Sequence, residues 1–345
     1  MPPDNHQAEI FTGHTLVTQR VKLVDIWDKS EKSISTLPLE ICFLSSAKWS
    51  AAPCNRCFNE KPQLEPNFSL SINDVIQRAE GTKSVQETSI KFNNPDAYDR
   101  WMGVWTKIVG SEFLRWFDPE MNKTWIDIGC GSGASTEQIV ATCSPTLIDA
   151  IDPSDDQINF ARERQLPASV NFDIGDAERL TNNDDYYDYA IMALVLFFVP
   201  NPDKGVAEMI RVCKSKGKIA AYVWDIFGHG LPTSPIHQIF AAKGIPVLVP
   251  PRSEVSTKDA LQLVFEKNGA KLVETATFKV ERIFDSYEEY WSLSSKSNSV
   301  FPALKNLDPK LIDEVKKELK ANLDIDQQGR VKATAHANAV KGYAD

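Results

Sequence analysis

The densest group of chemistry-bearing residues is Asp127-Ile-Gly129-Cys-Gly131-Ser-Gly133-Ala. Its three glycines sit between an apolar run, TWIDI, and a helix-like stretch. Glycines there permit a tight turn and let a ligand approach bare backbone. Through Ala134 the spacing also satisfies the dinucleotide pattern G-x-G-x-x-A, with acidic Asp152 at a suitable distance beyond. A nicotinamide-dependent oxidoreductase is therefore one reading. Asp127 favours another. A pyrophosphate held at this turn would meet a carboxylate, which is electrostatically unfavourable, whereas a ligand bearing an ammonium group would gain from it. S-adenosylmethionine carries an ammonium and a sulfonium and no phosphate.

Two further acidic positions follow at regular intervals. Asp152 ends the run LIDAID, where a carboxylate can accept hydrogen bonds from both hydroxyls of a ribose. Asp176 and Ala177 follow SVNFDI in IGDAERL and place a short acceptor and a backbone N–H where an adenine edge could be read. Taken singly, these are ordinary cap and turn residues. Acidic residues at three successive strand ends, together with the glycines, are far more specific.

These positions require alternating strands and helices. From Thr124 onward TWIDI, LIDAID, SVNFDI, YDYAIMAL and KIAAYVW read as strands. Helical segments over Ala134 to Cys143, Ser154 to Gln165 and Pro202 to Cys213 lie between them, which indicates an α/β, Rossmann-like, mostly parallel sheet with helices on both faces. A long amphipathic helix precedes the core, with Trp101, Trp105, Val109, Phe113 and Phe117 at helical spacing between Pro95 and Phe117. Beyond the core come a helix from Thr257 to Asn268 capped by Ser256, a strand KLVETATFKVERIF, helices over Tyr287 to Leu323, and a last strand VKATAHANAVKGYA. A helical excursion between the last two strands is placed to build a substrate pocket. The domain reading is an irregular extension over 1–90 and a catalytic domain over 91–345, with cap elements at about 226–255 and 286–325. In the extension, VTQRVKLVDIW and LEICFLSS are candidate strands.

The segments WIDIGCGSGAST, AIDPSDDQINFARER, FDIGDAERL and YDYAIMALVLFFVPNPDKGVAEMIRVCKSKGKIAAYVWD are similar to the successive motifs of class I S-adenosylmethionine-dependent methyltransferases. Within that class the chain resembles the small-molecule group that includes ubiquinone and menaquinone biosynthesis enzymes. The resemblance covers about Asn94 to the C-terminus. It implies seven strands with the last antiparallel, a helical cap between the last two, and cofactor across the strand ends. It assigns Asp127 and Gly129 to the methionine end, Asp152 to the ribose, and Asp176 and Ala177 to the adenine, with Gly131 and Gly133 also among the cofactor-binding residues. Ala193, just past the fourth strand, is implied to line the methionine side. The chain departs from the group at Val104 and at Ser215-Lys216-Gly217, where relatives carry Arg and Pro-Gly.

Composition bounds the rest. A formal net charge of −9 argues against a phosphate-tracking nucleic-acid binder. Apolar runs fall short of the ~20 residues that span a bilayer, and the N-terminus lacks a basic and then apolar secretory start. Six scattered cysteines read as reduced thiols in a cytoplasmic protein. Cys54-x-x-Cys57 is a single pair without further ligands, so no metal is expected. No catalytic base is assigned. His229 after the fifth strand is a candidate and His237 a weaker one. The reading is methyl transfer from S-adenosylmethionine to a small, largely apolar acceptor on carbon or oxygen. The alternatives are the oxidoreductase and a non-catalytic S-adenosylmethionine-binding partner subunit.

Overall fold

In the computed structural model the described residues are Val24–Asp28, Ser33–Leu37 and 99–345. Contacts divide the chain into two units, 1–84 and 85–345. In the first, β1 (Val24–Asp28) pairs antiparallel with β2 (Ser33–Leu37), Val24 opposite Leu37. The expected strand over VTQRVKLVDIW is thus described only at its C-terminal half. LEICFLSS and Cys42, Cys54 and Cys57 lie outside the described residues.

The second unit opens with a π-helical turn, Asp99–Gly103, leading into α1 (Val104–Phe117). Trp101, Trp105, Val109, Phe113 and Phe117 follow one another at four-residue spacing, and all are buried. Such a ladder lies on one helix face. It packs Trp105 edge-on against Trp224, Phe113 against Tyr222, and Phe117 against Trp125 and Tyr189. Full burial of side chains this size stabilises by about 1.5–3 kcal/mol each. At the helix's C-terminal end, Lys218 Nζ donates to the Asp118 carbonyl at 2.8 Å, satisfying a group left without an intrahelical partner.

The core then alternates β3 (Thr124–Ile128), α2 (Ala134–Cys143), β4 (Leu147–Asp152), α3 (Asp155–Arg162), β5 (Val170–Ile174), β6 (Tyr187–Ala193), α4 (Pro202–Val212) and β7 (Cys213–Trp224). Beyond it lie α5 (Ser234–Ala242), α6 (Lys258–Lys267) and β8 (Lys271–Phe284), and then α7 (Tyr287–Ser294), α8 (Phe301–Leu304) and α9 (Pro309–Asn322). The two-residue β9 (Asp324–Ile325) and β10 (Val331–Tyr343) complete the unit. The sheet order is β5-β4-β3-β6-β7-β10-β8. Strands β3 to β7 run parallel, and β10 inserts antiparallel between β7 and β8. This is the expected seven-stranded arrangement. The short β9, paired to β10, adds an eighth strand that hydropathy does not reveal.

Helices α7 to α9 form the expected excursion between β8 and β10, and α9 packs on α5. Ser286 caps α7 by accepting from the Glu289 N–H, while Glu289 reaches back to the Asp285 N–H. The cap of α6 is a correction: Thr257, not Ser256, accepts from the Ala260 N–H. Ser256 is fully buried, its hydroxyl accepting from the Ile226 N–H and its carbonyl from Asn338. Among the described residues no helix is long and apolar enough to cross a membrane.

Candidate functional site

Chain order reverses between β3 and β6: the path runs outward from β3 through β4 to β5, then returns to β6 on the other side of β3. Loops leaving the C-terminal ends of strands at such a switch point diverge and leave a crevice. Here the crevice is a cavity of about 760 Å³. The turn after β3 contributes Gly129 to Ser132, the turn after β4 contributes Asp152 to Ser154, and the end of β6 contributes Ala193 to Val195.

The glycine turn is built by backbone needs. Gly129 has φ 77°, and a Cβ there would lie 2.5 Å from both methyl carbons of Val195. Gly133, at φ 82°, opens α2 and would press a Cβ onto Phe172 and Arg164. Asp152 closes the turn from the neighbouring strand. Its two oxygens accept from the Gly131 N–H at 3.0 Å and from the Ser154 N–H at 2.9 Å. Burial raises its carboxyl above the usual range, and those two amide donors oppose the rise. Each carboxylate oxygen keeps a further acceptor position, so the hydroxyls of a bound ribose can still be served.

Asp127 lies beneath this floor and does not line the cavity. It is fully buried, and its Oδ2 accepts from the Ser135 and Thr136 hydroxyls, both at 2.7 Å. Its Oδ1 has no hydrogen-bond partner. Burial raises the carboxyl to about 6, with the two hydroxyls lowering it and nearby Asp152 raising it further. Ser135 does line the cavity and so connects the carboxylate to it.

The sequence-derived residues thus separate. Gly129, Gly131, Asp152 and Ala193 share the cavity wall; Gly133 and Asp127 support it. Asp176 and Ala177 follow β5 beside Asp152, whose carbonyl accepts from the Gly175 N–H at 3.2 Å, but neither lines this cavity. The Asp176 Oδ1 instead accepts from the Glu178 N–H. His229 is exposed in the loop after β7, with φ 56°.

Two features escaped sequence reasoning. Arg164 reaches across the glycine turn, donating to the Ser132 carbonyl, to Glu137 at 2.8 Å and to Asp99. The Ser132 hydroxyl also donates to Asp99, at 2.9 Å. A guanidinium fork ties three separate segments here, and nothing in the local sequence marks it. Leu194 is the second. A non-glycine residue at φ 63°, it is held by its N–H on the Tyr222 carbonyl at 2.8 Å. Such backbone is uncommon outside glycine and clusters at functional sites.

Leu194 and Phe198 also line a second cavity, of about 650 Å³. Its walls are mainly apolar: Trp101 and Met102 before α1, Phe197 after β6, Trp224 at the end of β7, and Leu248 and Pro250 from the segment after α5. Thr233 and the run Lys296 to Ser299, between α7 and α8, supply its polar part. The cap elements therefore enclose a chamber that adjoins the strand-end cavity. Among the described residues, no grouping of His, Cys, Asp and Glu could hold a metal ion.

Comparison with known proteins agrees with this geometry. Residues 126–221 match the family described as a methyltransferase domain. A rice protein named 2-methyl-6-phytyl-1,4-hydroquinone methyltransferase 2 is 31% identical over 116 residues, 33% of this chain and 33% of its own length. Its spinach counterpart is 26% identical over 54% of this chain and 51% of its own length. The fatty-acid O-methyltransferase of Mycolicibacterium smegmatis is 30% identical over 28% of this chain and 35% of its own length. The chain thus spans a third to a half of the length of these curated relatives. An Anabaena variabilis structure described as a methyltransferase from an antibiotic biosynthesis pathway shares the fold. It has a TM-score of 0.50 at 14% identity and covers 68% of this chain and 98% of its own. The segment that matches the methyltransferase-domain family, 126–221, spans the glycine turn and the switch point that build the strand-end cavity.

Proposed function

We propose that the chain transfers a methyl group from S-adenosylmethionine to a small, largely apolar acceptor, on carbon or oxygen. One observation carries this reading: the strand-end cavity, which holds the Asp152 carboxylate, and the apolar chamber meet at Leu194 and Phe198, so two ligands can touch there. When bound, S-adenosylmethionine supplies a methyl carbon on a sulfonium that a nucleophile displaces in line.

The residues fit that cofactor. Among the described residues the strand-end cavity is lined by glycine backbone, Ser132, Ser135, Ser154 and the Asp152 carboxylate, with no lysine or arginine. A wall of that kind suits a cation and lacks the positive side chains that would help offset a pyrophosphate's charge. In this reading Asp152 receives the ribose hydroxyls. Gly129 and Gly131 give the methionine portion access to backbone, and Ala193 lines its far side. Asp127 acts through Ser135 on the ammonium end. Asp176 and Ala177 flank the adenine from the β5 turn. The chamber walls hold the acceptor against the methyl carbon and exclude water, which can supply most of the rate effect when the acceptor is already nucleophilic. An apolar chamber agrees with two of the relatives, whose names specify a phytyl hydroquinone and a fatty acid. The free buried thiols of Cys130, Cys143 and Cys213 suit a reducing, cytoplasmic setting.

Titration calorimetry with S-adenosylhomocysteine and with NAD tests the cofactor. We expect binding of the first in the micromolar range and none of the second; the reverse would establish the oxidoreductase. Release of S-adenosylhomocysteine across a metabolite library tests turnover. Binding with no turnover on any acceptor would favour the partner-subunit alternative. Methylation of RNA or of a protein side chain, without small-molecule activity, would refute the acceptor class.

A further inference from the structure

The chamber is not uniformly apolar. One part of its wall is the Ser297-Asn298-Ser299 run, whose side chains carry an amide and two hydroxyls. Ser297 is 7% exposed, and its hydroxyl has no hydrogen-bond partner. The Asn298 Nδ2 is likewise buried and without a partner. Leaving a buried polar group unsatisfied is costly. Two neighbouring groups in that condition, on the wall of a cavity, are the mark of a site that a ligand completes. Ser299 differs: its hydroxyl lies 3.2 Å from His237 Nε2 and 3.4 Å from the Thr233 hydroxyl. His237 is buried, and burial pulls its imidazole down to about 4, so near pH 7 it orients Ser299 without adding charge.

Resting on the methyltransferase reading above, we infer that this run is the recognition point for an oxygen of the acceptor, a hydroxyl or a carbonyl, on an otherwise apolar ring or chain. An amide N–H donor and a hydroxyl that can donate or accept match such an oxygen. They do not match a bare hydrocarbon, which leaves them unpaired. The apolar body of the acceptor lies against Trp101, Trp224 and Phe197, and the oxygen fixes how the molecule is turned toward Leu194 and Phe198. The segment is thus a specificity-determining element, with His237 as a positioning residue behind Ser299.

Calorimetry on the full chain, with and without saturating S-adenosylhomocysteine, tests this with two probes of one shape: 2-naphthol and naphthalene. We expect 2-naphthol to bind about 10- to 100-fold tighter than naphthalene. In Asn298→Ala, and separately in Ser297→Ala, that preference should shrink while naphthalene binding stays unchanged, which also reports an intact pocket. Equal affinity of the wild-type chain for 2-naphthol and naphthalene would overturn the inference with no variant needed. So would a preference that survives both substitutions. Failure of S-adenosylhomocysteine to bind would instead remove the methyltransferase reading. The two failures are therefore separate, because the probe measurement does not need the cofactor.

Discussion

Asp127, fully buried, and Asp152, partly buried, are carboxylates in successive strands, and their surroundings assign them different work. Asp152 faces the cavity and accepts from two backbone N–H groups. Asp152→Ala removes those two bonds and the acceptor positions left for a ribose. Cofactor affinity should fall by about 1.5–3 kcal/mol, roughly 10- to 150-fold, with the sheet intact by circular dichroism. An unchanged dissociation constant would mean the ribose is held elsewhere. Asp127 faces no solvent, and its native pKa of about 6 lies above the ordinary 3.8. The folded chain therefore holds that proton more tightly than the unfolded chain does. The stabilisation is fully present below about pH 4 and is lost as pH rises through 6. Asn at this position can still accept from Ser135 and Thr136 and has no charge to bury. Asp127→Asn should raise unfolding free energy at pH 7.5 by about 2–3 kcal/mol, leave it unchanged near pH 4, and weaken cofactor binding. Urea titrations at both pH values measure the first two effects. A variant less stable at pH 7.5 would contradict this account.

Among the elements, the glycine turn is clasped to another segment. Arg164, 12% exposed, joins Asp99 at the start of the α1 ladder to the Ser132 carbonyl and to Glu137 on α2. Arg164→Ala leaves Asp99 partly buried without its cation. We expect a loss of about 2–4 kcal/mol in urea unfolding and a weaker affinity for S-adenosylhomocysteine. A stability change under 0.5 kcal/mol would show that the clasp is no more than an exposed ion pair. Nothing in the spacing of Asp99, Ser132 and Arg164 discloses this contact, because it is made by three segments that meet only in the fold. The strands, by contrast, were legible, since buried parallel strands are continuous apolar runs and their glycine and aspartate ends are local features. Helix caps were legible to within one residue: Ser256 and Thr257 are both good N-cap types, and only the buried role of Ser256 separates them. The left-handed Leu194 and the unpaired Ser297 and Asn298 carry no sequence signal at all. Their character comes from what surrounds them after folding.

At the scale of the whole chain, among the described residues those lining the two cavities lie at or beyond Trp101. The buried cores of the described residues likewise run between Trp101 and Ala344. The division of contacts falls between Ser84 and Val85, well ahead of the glycine turn. We therefore predict that a chain beginning at Val85 folds and binds S-adenosylhomocysteine as the full chain does. Independent units contribute additively to within about 0.5 kcal/mol, and on that footing the two dissociation constants should agree within about two-fold. The α1 ladder is kept whole in such a chain, and with it the Trp101 and Met102 wall of the acceptor chamber. The 2-naphthol preference should therefore survive truncation as well, whatever the first 84 residues do. Calorimetry on the two chains side by side, with a urea titration of each, is the measurement. If the shorter chain aggregates, or its cofactor affinity drops ten-fold or more, the first unit supplies something to the site that the sheet, turn and cap do not.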